Sequence, residues 1–274
     1  MPLAISNIFW SQEEDDKALP LARSSGAKGI EVAPTRIAPW GELNVRKAKD
    51  YRQRLKDLDL QIPSLQAILY GCKDMQLLGE EDAFNRLLEH FKFVAEIAGH
   101  LGAMRLVFGA PKYRLRGALG EKEAFDLAVK RLGPVAQIMK DAGVTLVFEA
   151  VPATYGCDFI QSTQEARQLV KAVNHDGLRL HLDIGAMITA QEEPETLVQK
   201  SASLLSHVHF SVPGLGFLTE LGDIGVALDS ALVSINYAGW IALEIMPQKE
   251  ALENLEKMIL LARGTFIHTL AGES

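Results

Sequence analysis

Short apolar runs suited to strands alternate with longer amphipathic segments suited to helices along the whole of this chain. The strand candidates are Leu3–Phe9, Gly29–Val32, Gln61–Leu69, Met104–Phe108, Val144–Glu149, Leu178–Asp183, His207–Val212 and Trp240–Ile245. Between them Val45–Leu58, Ala83–Leu101, Ala124–Ala142, Thr163–Val173, Pro194–Leu205, Val226–Asn236 and Glu250–Ile267 repeat apolar residues at helical spacing. Gly26, Gly102, Gly143, Gly177 and Gly239 stand ahead of strands, where a helix is expected to stop. Ser162-Thr-Gln-Glu165 reads as a capping box. Strands joined through helices pair in parallel. Eight such units predict one α/β domain over residues 1–274, a single (β/α)8 TIM barrel. A doubly wound open sheet is the alternative, but no Gly-x-Gly-x-x-Gly follows the first strand and no phosphate loop occurs. No linker or low-complexity tract divides the chain.

Composition narrows the class. The hydrophobic share of 48% supports a sizeable core, and the formal net charge of −7 disfavours nucleic acid and anionic membranes as partners. Cys72 and Cys157 are far apart and in no ligand spacing, so no disulfide framework is expected. No apolar run approaches the roughly 20 residues of a membrane span, and the first residues carry no basic region with a cleavage site. The expected location is the cytoplasm, and a homo-oligomer is compatible with all of this.

Four of the apolar runs carry a ligand-type residue where the strand ends: Glu149, Asp183, His209 and Glu244. In a parallel barrel these ends share one mouth, so the four side chains should converge. Three carboxylates and one imidazole suit one divalent metal ion, Mn2+, Co2+ or Mg2+. A thiolate-rich zinc site is excluded, since the set holds no Cys. A lone Glu at a strand end reads as half of a salt bridge. Four such residues on consecutive strands read better as a metal site, because one cation partners every carboxylate at once. Alternate strand residues share a face, which puts His181 and His207 one layer beneath Asp183 and His209. Their expected role is to hydrogen-bond neighbouring polar groups and orient the ligands. Glu31 is expected to pair with a Lys or Arg inside the barrel.

In Phe148-Glu149, Leu182-Asp183-Ile-Gly, His207-Val-His209-Phe and Tyr237-Ala-Gly-Trp-Ile-Ala-Leu-Glu244 the chain resembles the xylose isomerase-like TIM barrel superfamily. The resemblance covers essentially the whole chain. Order and spacing are similar to the ketose 3-epimerases, in which the corresponding Glu, Asp, His and Glu bind one metal. The resemblance selects His209 over His207 as the ligand. Three positions depart from it: Ala186, Tyr155 and Leu215 stand where those enzymes carry a His, a Glu and an Arg that contact substrate. It therefore implies a shared metal site and a different substrate pocket.

A cation chelating a carbonyl and an adjacent hydroxyl would stabilise the enediolate formed when the α-proton leaves. Glu149 and Glu244 lie at the two ends of the ligand arc and are the expected catalytic acid–base pair. The function implied is a divalent-metal-dependent isomerase or epimerase of a sugar, sugar phosphate or keto-polyol. The alternative is a metal-dependent lyase or dehydratase of the inosose or dehydroshikimate type. An endonuclease IV-like phosphodiesterase is disfavoured, since its three metals need more ligands than a chain with seven His supplies. The expected partner is a small-molecule carbohydrate or keto-polyol. Around the mouth Trp10 could wall the pocket and Gln66 could bond a hydroxyl. Lys112, Arg114 and Arg116 could hold a substrate anion, and Tyr155 replaces a substrate-contacting group.

Overall fold

The structure, a computed structural model, describes residues 1–270. Eight strands run in chain order: β1 Leu3–Ser6, β2 Gly29–Glu31, β3 Ser64–Leu65, β4 Arg105–Phe108, β5 Thr145–Phe148, β6 Leu178–Asp183, β7 Leu205–Phe210 and β8 Ile241–Leu243. The helices that alternate with them are α1 Asp15–Ser24, α2 Val45–Asp57, α3 Glu81–Leu101, α4 Glu121–Asp141, α5 Thr163–Val173, α6 Ile184–Thr189, α7 Pro194–Ser201, α8 Asp223–Ser234, α9 Ala251–Thr265 and α10 Ile267–Leu270. All strand pairs are parallel, in the order β2-β1-β8-β7-β6-β5-β4-β3. Single bridges, Gly29 to Gln61 and Val32 to Leu65, join the two ends of that order. The molecule is a single (β/α)8 TIM barrel. No helix among the described residues is long and apolar enough to cross a membrane.

Strand alternation sorts the side chains into two environments. Outward residues such as Leu106, Phe108, Leu146, Phe148, Leu182, Val208 and Phe210 are fully buried between sheet and helices. Phe91 of α3 meets Phe108 edge-on with ring centroids 5.5 Å apart, and Phe108 meets Phe148 in the same way at 5.5 Å. The inward face carries most of the buried polar groups, among small residues such as Ala4, Val147 and Ala242. Ser6, Glu31, Ser64, His181, His207 and His209 are all buried inside the barrel. Register fixes their layers: His181 pairs with His207, and Asp183 with His209, while His209 pairs with Ala242 of β8.

Several boundaries differ from the sequence expectation. β1 and β3 are shorter than the apolar runs that contain them, because the chain bends into the mouth after each ladder; Ala67, two residues past β3, already has φ +52°. α7 ends at Ser201, and Leu205 begins β7. The six-residue α6 went unread, since it continues the apolar run of β6 without a break. Gly177 and Gly239 are not helix stops. Asn174 (φ +48°) and Asn236 (φ +52°) take the left-handed conformation there. Gly177 is needed for closeness instead, because a Cβ would lie 1.8 Å from the Ala136 carbonyl oxygen. The Ser162–Glu165 capping box forms at the start of α5.

Candidate metal centre

β5 to β8 deliver Glu149, Asp183, His209 and Glu244 to one place. One donor atom from each lies within 4.8 Å of the others. His209 Nδ1 is 3.1 Å from Glu244 Oε2 and 4.0 Å from Asp183 Oδ2. His209 and Asp183 are buried, and the two glutamates are half-buried where β5 and β8 open into loops.

Local structure holds each carboxylate. Asp183 is the N-cap of α6 and accepts the Ala186 N–H with one oxygen. Its other oxygen accepts the Ser211 hydroxyl at 2.8 Å, while the Gly185 N–H donates to Ser211 Oγ at 3.0 Å. Residue 185 has no room for a side chain: a Cβ would lie 2.5 Å from Ser211 Oγ. The same holds at Gly109, where a Cβ would be 2.0 Å from Glu149 Oε2. The backbone carbonyls of Gly109 and Glu149 are tied together by Arg114, which donates to them at 2.7 and 2.8 Å.

Behind the cluster lies a buried polar layer. His209 Nε2 is 2.8 Å from Glu31 Oε1, and His207 Nε2 is 2.8 Å from Glu31 Oε2. The Ser64 hydroxyl also donates to Glu31 Oε2, at 2.6 Å. The expected Lys or Arg partner of Glu31 is thus replaced by two histidines of β7, while the inward Arg105 of β4 donates to Ser206 Oγ at 2.6 Å instead. His207 reaches Glu31 rather than the carboxylates, and the ring nitrogens of His181 find no partner among the described residues. His181 packs edge-on against His209, with centroids 4.2 Å apart.

The electrostatics follow from burial and crowding. Burial, then the charges of Glu244 and Asp183, raise the Glu149 carboxyl well above the usual carboxylate range. Burial and Glu244 push Asp183 up to about 6, against the help of His209, the Ala186 N–H and Ser211. Burial opposes the charged form of His209, yet the carboxylates of Glu31 and Glu244 hold its pKa well above the ordinary imidazole value. Burial likewise works against ionised Glu31, but His209 and His207 hold it well below the usual range. The donor set fits a divalent cation. Three carboxylates crowd one imidazole nitrogen, the Glu149 carboxylate accepts no hydrogen bond from the described residues, and two carboxyls resist ionising together without a positive charge among them.

Glu149 and Glu244 of the cluster line a cleft of about 630 Å³, whose wall includes Gln66, Lys112 and Tyr155. The Gln66 amide donates to Ser6 Oγ, and the Tyr155 hydroxyl accepts the Gly214 N–H at 2.7 Å. Trp10 does not reach the cleft: it is 1% exposed and its indole N–H donates to Asp15 at 2.8 Å. Nor do Arg114 and Arg116 join Lys112. Arg114 is fully buried, 4.7 Å from the Phe148 ring centroid, because the loop after β4 folds it under Glu149. Arg116 faces a separate groove, and its backbone N–H is held by Asp158. The sequence reading missed Arg36, Tyr70 and Met246, all in the cleft wall. Met246, two residues past Glu244, could have been found by extending strand parity beyond β8; Arg36 and Tyr70 lie in loops with no periodic signal.

A family model for the xylose isomerase-like TIM barrel matches residues 19–261. No curated protein matches the chain by sequence. Among solved structures, D-psicose 3-epimerase from Clostridium cellulolyticum H10, determined with D-tagatose, superposes with a TM-score of 0.83 at 14% identity, covering 97% of this chain and 99% of that one. The 3-keto-D-glucoside 4-epimerase of E. coli gives 0.77 at 14% identity over 96% and 99% of the two chains. D-allulose 3-epimerase from Methylomonas sp. in complex with D-allulose gives 0.74 at 20% identity over 100% and 97%. At these identities the likeness is one of fold.

Proposed function

The chain belongs to the xylose isomerase-like TIM barrel family, and on that premise we propose that it is a divalent-metal-dependent isomerase or epimerase of a small keto-sugar or keto-polyol. The observation that carries this reading is the convergence of Glu149, Asp183, His209 and Glu244 within 4.8 Å, with the two glutamates lining an open cleft. These four residues would hold the ion, and Mn2+, Co2+ and Mg2+ suit their oxygen-rich donor set. When bound, such an ion polarises the substrate carbonyl and makes the α-proton easier to remove.

The remaining work falls to the chain itself. β5 and β8 flank β6 and β7, so Glu149 and Glu244 approach the substrate from the two ends of the ligand arc. One carboxylate takes the α-proton, and the carboxyl at the other end returns a proton. Return to the opposite face of the same carbon is epimerisation. Return to the neighbouring carbon is aldose–ketose isomerisation. Glu31 keeps the His209 ring turned so that Nδ1 faces the carboxylates.

The test is solvent exchange. Protein loaded with Mn2+ is incubated in D2O with a panel of keto-sugars, sugar phosphates and inososes and followed by NMR. Deuterium at an α-carbon supports the reading, and loss of a β-hydroxyl in its place would make the enzyme a dehydratase. No exchange with any member, metal bound, overturns it. Metal analysis of Asp183→Ala protein checks the ion itself: strongly reduced content with the fold intact is expected.

A further inference from the structure

We infer that the cleft takes an α-hydroxy-ketone carrying an apolar, preferably aromatic, substituent, with the reacting carbons at Glu149 and Glu244 and the substituent against Tyr70, Ile68 and Met246. This deepens the function proposed above and rests on it.

Three large apolar side chains are exposed around this one opening: Tyr70 at 71%, Met246 at 48% and Tyr155 at 39%. Clustered exposed apolar groups beside a site mark a ligand contact more than scattered ones do. Apart from Thr35 and Lys112, the polar side chains of the wall other than Glu149 and Glu244 are largely committed to the protein itself. Arg36 donates to the carbonyls of Asn7 and Trp10 and to Asp15. The amide of Gln66 donates to Ser6, the Tyr113 hydroxyl to the Cys72 carbonyl, and the Tyr155 hydroxyl accepts from Gly214. A free ketose carries a hydroxyl on every other carbon and would bury several without partners, which costs binding. A cleft of about 630 Å³ lies within the size range that encloses ligands larger than one simple sugar. Continuity of the apolar rim with Glu149 and Glu244 assigns the occupant to the substrate itself rather than to a second protein.

Three matched probes test this: hydroxyacetone, 2-hydroxyacetophenone and D-fructose. Binding is measured on metal-free protein by saturation-transfer NMR, and α-proton exchange is measured on Mn2+-loaded protein in D2O. Burial of one aromatic ring predicts about ten- to a hundredfold tighter binding of 2-hydroxyacetophenone than of hydroxyacetone. Tyr70→Ser and Met246→Ser, each made separately, should cut that preference severalfold, with saturation transfer strongest to the phenyl protons. Equal binding of all three probes, or a preference untouched by both variants, overturns the inference while leaving α-proton exchange to support the broader reading. Phenyl-selective binding with no exchange in any probe supports the subsite and overturns the proton-transfer chemistry. If either variant shifts the protein from oligomer to monomer in sedimentation without changing probe preference, the rim is an interface between copies and the inference fails.

Discussion

Glu31 should govern metal affinity although it does not face the metal cluster. It makes three close contacts in a fully buried layer: His207 Nε2 and His209 Nε2 at 2.8 Å, and the Ser64 hydroxyl at 2.6 Å. Its charge favours a proton on Nε2 of His209 and so leaves the Nδ1 lone pair to ligate a cation held with Glu244 and Asp183. Glu31→Gln keeps the shape and one acceptor oxygen but removes the charge. Loss of such a supporting carboxylate typically weakens metal binding by about 10- to 100-fold, or about 1.4–2.8 kcal/mol. Glu31→Ala is a harsher test, since it strands two imidazoles and a hydroxyl in a dry interior. Breaking a buried ion pair from one side costs about 3–5 kcal/mol, so this variant should melt well below the parent even without metal. The assays are isothermal titration with Mn2+ for the Gln variant and urea unfolding of metal-free protein for the Ala variant. Unchanged Mn2+ affinity in Glu31→Gln together with unchanged stability in Glu31→Ala would refute the idea that β2 supports the site.

Gly109→Ala should lose metal affinity by about tenfold or more with little change in circular dichroism, because a Cβ 2.0 Å from Glu149 Oε2 forces the carboxylate away while the backbone there accommodates alanine. Glu149→Gln and Glu244→Gln should each lower turnover by about a hundredfold or more while retaining some metal, and full activity in both would exclude two-carboxylate proton transfer. Asp229 of α8 binds the N–H groups of His268 and Thr269 and so docks α10. Burial opposes its charged form, but the Thr269 and His268 donors hold its carboxyl below the usual range. A carboxyl with a lowered folded pKa contributes stability above its unfolded pKa of about 3.9, and that stability is lost as pH falls through the folded value. Asp229→Asn should therefore expose the C-terminal helix to hydrogen exchange at pH 7, and the difference from the parent should shrink on acidification; equal exchange at pH 7 would contradict the docking role.

Much of this molecule was legible in one dimension. The alternation of strand and helix periods gave the barrel, because periods of two and of 3.6 residues are local properties and only a few architectures bury eight such units. Strand parity placed Asp183 with His209 and put His181 and His207 beneath them, since a strand has only two faces. The ends of β5 and β8 pointed to Glu149 and Glu244 for the same reason. What the sequence could not supply was every relation across the barrel. Glu31 and His209 are far apart in the chain, and only closure of the sheet sets them 2.8 Å apart. Lys112, Arg114 and Arg116 look like one basic cluster on paper. The loop after β4 parts them, sending Arg114 inward to clamp the Glu149 carbonyl and Arg116 to another groove. Gly109, Gly177 and Gly185 are alike as letters, yet each is required by an atom contributed from elsewhere in the fold. Local pattern fixes which way a side chain faces; what it meets there depends on elements distant in the chain, and only their packing decides that.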